Sequence, residues 1–377
     1  MPLLYLAVRS RSIFKIGVPK GESNPFNLQI LLPESSPRGG VAEDGDTGVG
    51  RSKPNAGELL QSALFYWKKI WNRYLRGYKT MARINLSGMG VALITPFKED
   101  EGIDFEALSR LIEYLIQNGT DYLVVLGTTA ETPTLTEEEK TEIKRFVVER
   151  TKGRIPLVLG LGGNNTRGII DHLKKDDFSG YDAILSVVPY YNKPSQEGIY
   201  QHYSAIAQAS KLPVILYNVP GRTGVNMNAE TTLRLAKEYP NIIAIKEASG
   251  NITQMDDIIK NKPADFMVIS GDDGITFPLL TLGAVGVISV IGNAFPKEFS
   301  KMVRLALNGD FHNALSIHHR FTELFSLLFV DGNPAGVKCL LNAMGYIENK
   351  LRLPLVPTRI TTYEKIRAVL QSLHYIP

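Results

Sequence analysis

Eight short runs of apolar and β-branched residues, about 25 residues apart, constrain the fold of this chain more than any other feature. They fall at residues 88–97, 122–127, 155–162, 183–190, 213–220, 242–249, 266–273 and 286–293. Runs with so little polar alternation suit strands buried on both faces, as in a parallel sheet. The stretches between them carry helical spacing, as at 104–118 and 136–151. Thr136, three residues before Glu139, forms a capping-box pair that opens the second of these helices. Eight strand–helix units predict an α/β fold, a closed (β/α)8 TIM barrel. Residues 296–377 read as helices with no further strand, a C-terminal helical extension.

The first 80 residues form an atypical N-terminal leader. They hold 12 Lys and Arg against 6 Asp and Glu, which leaves 30 against 32 for residues 81–377. The basic character of the chain therefore belongs to the leader, and nothing in the nearly neutral body suggests nucleic-acid binding. Residues 33–57 have the composition of a disordered linker. Residues 58–78 fit an amphipathic basic helix of the kind that docks on a membrane surface or a partner. Residues 1–20, basic without an acidic residue, admit a transit peptide. The favoured reading is a mis-called start, with translation beginning at Met81. The expected division is leader 1–80, catalytic barrel 81–308 and C-terminal helical domain 309–377. A single cysteine, Cys339, excludes an internal disulfide and fits a cytoplasmic protein. No apolar run approaches the roughly 18 residues of a membrane span.

In such a barrel the residues that close each strand carry the chemistry. Lys246 lies in the sixth run, Ile242-Ile243-Ala244-Ile245-Lys246-Glu247. An ammonium among Ile and Ala loses hydration, and desolvation favours a neutral, nucleophilic amine. Such a lysine can form a Schiff base with a ketone. The plainer alternative is a lysine that snorkels outward or pairs with a carboxylate. Strand alternation sends Lys246 and Glu247 to opposite faces. If Lys246 faces inward, Tyr217 on the neighbouring strand can stand beside it and pass a proton. Most tyrosines, however, serve as packing.

The second run closes in Gly127-Thr128-Thr129-Ala130-Glu131, whose N–H and hydroxyl groups suit a small carboxylate. The same residues are also ordinary turn chemistry. Arg222, in a Pro-Gly turn, is either a solvated loop charge or a fork for a substrate carboxylate. The seventh run closes in Gly271-Asp272-Asp273. Adjacent side chains diverge and no histidine accompanies them, so these read as turn and capping residues and no metal site is expected. A Schiff-base lysine, a proton-relaying tyrosine and a carboxylate-binding turn are together the parts of an enamine aldolase.

Five motifs, GTTAETPTL, VVPYYNKPSQEG, YNVPGRTG, IKEASG and SGDD, occur in one order and on successive predicted strands. In these the chain resembles the dihydrodipicolinate synthase family of pyruvate-dependent class I aldolases, over roughly residues 81–375. The resemblance implies condensation of pyruvate with L-aspartate 4-semialdehyde to 4-hydroxy-tetrahydrodipicolinate, in L-lysine and diaminopimelate biosynthesis. It implies that Lys246 forms a covalent imine with pyruvate and that no cofactor is needed. Thr128 and Thr129 would hold the pyruvate carboxylate and join a proton relay with Tyr217. Tyr191 would complete the relay from the neighbouring subunit of a tight dimer. Arg222 would meet the carboxylate of the aldehyde, and Gly271 and Ile288 would line the pocket through their backbones. The family is commonly a homotetramer, a dimer of dimers.

Some members are inhibited by lysine at a dimer-interface site with paired histidines and an acidic residue. Here the matching positions are Glu137, Lys140 and Gly168, with Asn164 and Tyr190 kept, which predicts weak or absent feedback. The nearest rival is a sister pyruvate aldolase such as N-acetylneuraminate lyase. Arg222 in YNVPGRTG suits a small carboxylated aldehyde better than a sugar. A rival of another class is an inactive barrel serving as a binding protein, against which the complete Lys-Tyr-Thr set argues.

Overall fold

A computed structural model describes residues 84–377 and the backbones of three N-terminal strands. The linker and helix readings of the leader lie outside the described residues, and within residues 1–20 only the backbones of two strands are described. The chain divides into two compact units, Met1–Asn72 and Arg73–Pro377. In the first, β1 (Leu4–Ala7) and β3 (Gln29–Leu31) both pair antiparallel with β2 (Ile13–Gly17).

In the second unit eight parallel strands close into a barrel in chain order. They are β4 (Gly88–Ala92), β5 (Tyr122–Val125), β6 (Leu157–Gly160) and β7 (Ala183–Val187), then β8 (Val214–Asn218), β9 (Ile242–Glu247), β10 (Met267–Ser270) and β11 (Gly286–Ser289). Each lies within one of the eight apolar runs. Closure needs β11 to pair with β4, and the register runs from Gly286 opposite Gly88 to Ser289 opposite Val91. Successive side chains alternate between two apolar layers, as strand geometry requires. Tyr122 and Val124 of β5 enter the barrel interior with Ala92, Ala183, Ile215 and Ile288, while Leu123 and Val125 join the layer beneath the helices. The interior fits because large residues oppose small ones. A Cβ on Gly90 would stand 2.1 Å from the Tyr122 ring, so only glycine leaves room for that ring.

The helices begin where their caps dictate. Asp104 accepts from Ala107 N at the start of α1 (Phe105–Gln117). Thr136 and Glu139 make the expected reciprocal box opening α2 (Glu137–Thr151). Around the barrel follow α3 (Thr166–Lys175), α4 (Gln196–Ala209), the single turn α5 (Pro220–Thr223), α6 (Ala229–Glu238), α7 (Ile252–Asn261), α8 (Thr276–Leu282) and α9 (Pro296–Leu307). Beyond these the chain forms α10 (Phe311–Val330), α11 (Ala335–Ala343) and α12 (Ile360–Ser372), with no further strand among the described residues. Phe321, Leu328, Val337, Leu341 and Leu370 of these last helices share one apolar core with Met89, Val91, Leu111 and Phe299. The extension is thus packed onto the barrel rather than tethered to it. Among the described residues no helix is long and apolar enough to cross a membrane.

One buried titratable group on this scaffold gives a measurable pH dependence. His202 on α4 is 5% exposed, and its Nδ1 lies 2.8 Å from Thr166 Oγ1 of α3. Burial disfavours its imidazolium and pulls its pKa from 6.5 down to about 4. Between these values the unfolded chain binds a proton that the folded chain refuses. The stability associated with the neutral ring is therefore present above pH 6.5 and lost as pH falls through 4, by about 3 kcal/mol. The difference in urea-unfolding free energy between wild type and His202→Gln should be flat above pH 6.5 and shrink toward pH 4. A difference constant from pH 7 to pH 4 would contradict this.

Candidate active site

Lys246 and Tyr217 reach the same end of the barrel because β8 and β9 are parallel and in register, with Tyr217 directly opposite Lys246. Ala244, two residues earlier on β9, belongs to the barrel interior, and Ile245 to the outer layer. Lys246 consequently points inward and Glu247 outward. The lysine is 5% exposed, and its Nζ lies 4.5 Å from the centroid of the Tyr217 ring. Behind the pair, on the outer face, Asn218 Nδ2 donates to both Glu247 oxygens at 3.1 Å. Glu247 also accepts from Ser249 N and Gln254 Nε2. Its burial pushes the carboxyl pKa up, and these hydrogen bonds pull it back. This polar lock joins the ends of the two strands that carry the reactive side chains.

Lys246 and Tyr217 line a cavity of about 570 Å³ together with Thr128, Thr129, Arg222 and Gly271. Six of the eight expected site residues thus meet around one space. Thr128 and Thr129 occupy a 3-10 turn directly after β5, tied down where Thr95 Oγ1 donates to Ala130 O at 2.8 Å. Arg222 sits on α5, where Pro220 at the first helical position and the left-handed Gly224 (φ 74°) bound a single turn. Gly271 follows β10 and faces the lysine itself: a Cβ there would lie 2.7 Å from Ala248 Cβ and 3.0 Å from Lys246 Cε.

Two expected residues are not among those that line this cavity. Ile288 on β11 is fully buried in the barrel interior, and Val290, two residues on, lines the cavity instead. Tyr191 is 88% exposed with φ 70°, and it is not among the residues that line this cavity. Asp272 and Asp273 diverge as expected. Asp272 caps Gly274 N at 2.8 Å, and Asp273 Oδ2 accepts from Val290 N and Ile291 N. Burial raises the Asp273 pKa to about 6.

The cavity also has a wall that sequence reasoning missed. Helix α10 supplies His318, Thr322 and Phe325, and Asn333 follows it. Asn333 Nδ2 donates to Thr129 Oγ1 at 3.0 Å, and Arg222 Nη2 donates to Asn333 O at 3.2 Å. Asn333 lies 111 positions from Arg222 and 204 from Thr129, and no local pattern marks the wall residues. A second cavity of about 480 Å³ opens beside the first and includes Glu137, Lys140, Lys144, His172 and Tyr190. Lys140 Nζ pairs there with Glu137 Oε1 at 2.7 Å.

The Dihydrodipicolinate synthetase family matches residues 85–373. The chain belongs to that family. It is 78% identical over 293 residues to the 4-hydroxy-tetrahydrodipicolinate synthase of Parabacteroides distasonis, covering 78% of this chain and 99% of that protein. Among solved structures it is similar to the dihydrodipicolinate synthase of Aquifex aeolicus, with 43% identity, a TM-score of 0.74, and coverage of 77% of this chain and 99% of the other. It is similar too to a structure described as the first monomeric dihydrodipicolinate synthase variant, with 42% identity, a TM-score of 0.75 and coverage of 77% and 97%. Membership accounts for a barrel whose inward lysine, tyrosine and threonine turn converge on one cavity.

Gly271 gives a direct test of that geometry. Gly271→Ala places a methyl group against Lys246 without touching any titratable atom. Overpacking of this kind costs about 1–3 kcal/mol, and here the movable neighbour is the lysine stem. The variant should remain folded by circular dichroism, with trapping of a keto acid on Lys246 slowed about tenfold or more. Unchanged trapping would show that the cavity does not confine the lysine there.

Proposed function

We propose that this chain condenses pyruvate with L-aspartate 4-semialdehyde to 4-hydroxy-tetrahydrodipicolinate, through an imine on Lys246. The observation that carries this reading is a buried lysine facing a tyrosine, in a cavity whose rim presents a threonine turn and an arginine. The amine of Lys246 attacks the C2 carbonyl of pyruvate, and loss of water leaves the iminium. That positive nitrogen withdraws electrons, so the adjacent methyl group releases a proton and becomes an enamine carbon. The enamine attacks the aldehyde carbon of the second substrate. The acceptor's own amine can then displace Lys246 from the imine carbon, closing the ring and freeing the enzyme.

In this reaction Thr128 and Thr129 receive the pyruvate carboxylate, with their hydroxyl groups and the turn's N–H groups as donors. Tyr217 moves the protons, because its ring lies against the Lys246 amine. Arg222 receives the carboxylate of the aldehyde, where a planar fork gives two parallel hydrogen bonds. Gly271 and Ile288 shape the pocket by close packing and by the backbone. The iminium is itself the electron sink, so the chemistry calls for no metal or cofactor.

Tyr191, exposed and held at positive φ, joins the relay from the neighbouring subunit of a tight dimer. On this reading the working form is a homotetramer in the cytoplasm, serving lysine and diaminopimelate biosynthesis. The synthase reading, rather than a lyase acting on sugar acids or an inactive barrel, is supported by Arg222 at the rim and by the likeness to the synthase of Parabacteroides distasonis.

Turnover of the two substrates, followed through a coupled NADPH-consuming reductase, tests the assignment. Lys246→Ala should remain folded, lose activity by orders of magnitude and no longer trap pyruvate on borohydride reduction. Trapping without turnover would move the acceptor to another aldehyde, whereas neither trapping nor turnover would remove the catalytic role from Lys246. Feedback by lysine should be weak. The Lys140 ammonium already occupies Glu137 in the second cavity, and Gly168 offers no carboxylate to an incoming ammonium. Lysine below about 1 mM, a binding free energy near −4 kcal/mol, should leave the rate unchanged. Strong inhibition in that range would refute the reading of this cavity.

A further inference from the structure

The threonine turn is held from outside the barrel. Glu131, which ends it, is 1% exposed and adopts left-handed backbone geometry with φ 56°. Lys338 of α11 brings its Nζ to 2.5 Å from Glu131 Oε1, and both side chains are fully buried. The same ammonium donates to Lys350 O at 2.9 Å and lies 4.1 Å from the centroid of Phe97. The guanidinium of Arg352 stacks 4.4 Å from that centroid, and Arg352 N donates to Glu131 Oε2 at 3.2 Å. Arg352 also forks onto Glu139, the N3 residue of the capping box of α2, at 2.6 and 2.7 Å. Two residues after Thr129, the chain is thus gripped by the C-terminal segment through charge, hydrogen bonds and ring contact.

A second grip reaches the threonine itself. A hydroxyl has one proton and two lone pairs. Because Asn333 Nδ2 donates to Thr129 Oγ1, the threonine proton remains free to donate into the cavity. The main-chain oxygen of Asn333 accepts from Arg222, so one residue touches both groups assigned to substrate carboxylates. A buried ion pair adds little net stability compared with an apolar pair of the same shape. What Lys338 and Glu131 supply beyond that is a set position for the turn.

We propose that Asn333 and Lys338 are positioning residues for the condensation: Lys338 sets the threonine turn through Glu131, and Asn333 orients the Thr129 hydroxyl and Arg222. The inference rests on the synthase reading above. Burial pulls the Lys338 pKa down to about 8, against the opposing pull of Glu131.

Two variants test the proposal, with borohydride trapping and the KM for pyruvate as readouts. Asn333→Asp offers acceptors only, so it takes the Thr129 proton and turns the hydroxyl away from pyruvate. It should raise the KM for pyruvate about tenfold or more, the scale of one hydrogen bond to a charged group, with a smaller change in kcat. Glu131→Gln/Lys338→Met removes both charges together, which should spare thermal stability relative to Lys338→Met alone. If the pair sets the turn, the double variant keeps its stability but retains a raised KM for pyruvate. A wild-type KM in Asn333→Asp, or recovery of KM along with stability in the double variant, overturns the proposal. A wild-type chain that traps no pyruvate defeats the synthase reading and this inference with it. Normal wild-type trapping with unaffected variants defeats this inference alone.

Discussion

Parallel pairing of β8 with β9 places Tyr217 against Lys246, and the reactive end of the barrel depends on that register. A slip of one residue would turn every side chain of β9 to the opposite face. Lys246 would then enter the layer beneath the helices, and Glu247 would enter the barrel. Two forces oppose the slip. Ala244 fits the narrow interior and Ile245 the outer layer, so exchanging them would leave a void on one side and a clash on the other. Glu247 also accepts from Asn218, Ser249 and Gln254 on the outer face. Each of those groups, if buried without its partner, would cost about 1–3 kcal/mol. Lys246 is therefore aimed partly by a carboxylate that faces away from the cavity.

The same logic holds at the threonine turn. A non-glycine residue in left-handed geometry, such as Glu131, costs about 1–2 kcal/mol, so the turn needs outside support. The barrel supplies some through Thr95, and the C-terminal helices supply the rest through Lys338, Arg352 and Asn333. Removing one partner of a buried ion pair leaves an uncompensated charge, typically at about 3–5 kcal/mol. The helical extension is for this reason part of the site's framework, and its apolar faces merge with the barrel core. The cavity belongs to both parts: strands bring the lysine and tyrosine, and α10 and Asn333, between α10 and α11, close the side wall.

Much of this was legible in the sequence. The eight apolar runs, the capping box at Thr136 and the opposite facing of Lys246 and Glu247 follow from periodicities that neighbouring residues impose on one another. The convergence of Lys246, Tyr217, Thr128, Thr129, Arg222 and Gly271 follows as well. In a parallel barrel all strand ends of one sense lie on one face, and six residues read at strand ends must meet there. The divergence of Asp272 and Asp273 was equally local, since adjacent residues cannot share a direction at a strand end.

Other features depend on contacts that no local pattern encodes. Asn333 reaches Thr129 across 204 positions, and Lys338 finds Glu131 only because α11 folds back onto the second strand's turn. An asparagine before a proline, or a lysine in an apolar helix, carries no mark of such a partner. Ile288 shows the converse: a residue at a strand end whose side chain enters the closed interior, leaving Val290 to line the cavity. Residue order alone determined the strand count, the sheet's direction and the end of the barrel that bears the chemistry, because these rest on short-range alternation. Tertiary structure decided which distant groups steady the reactive ones, because burial lets a hydrogen bond or an ion pair join residues far apart in the chain.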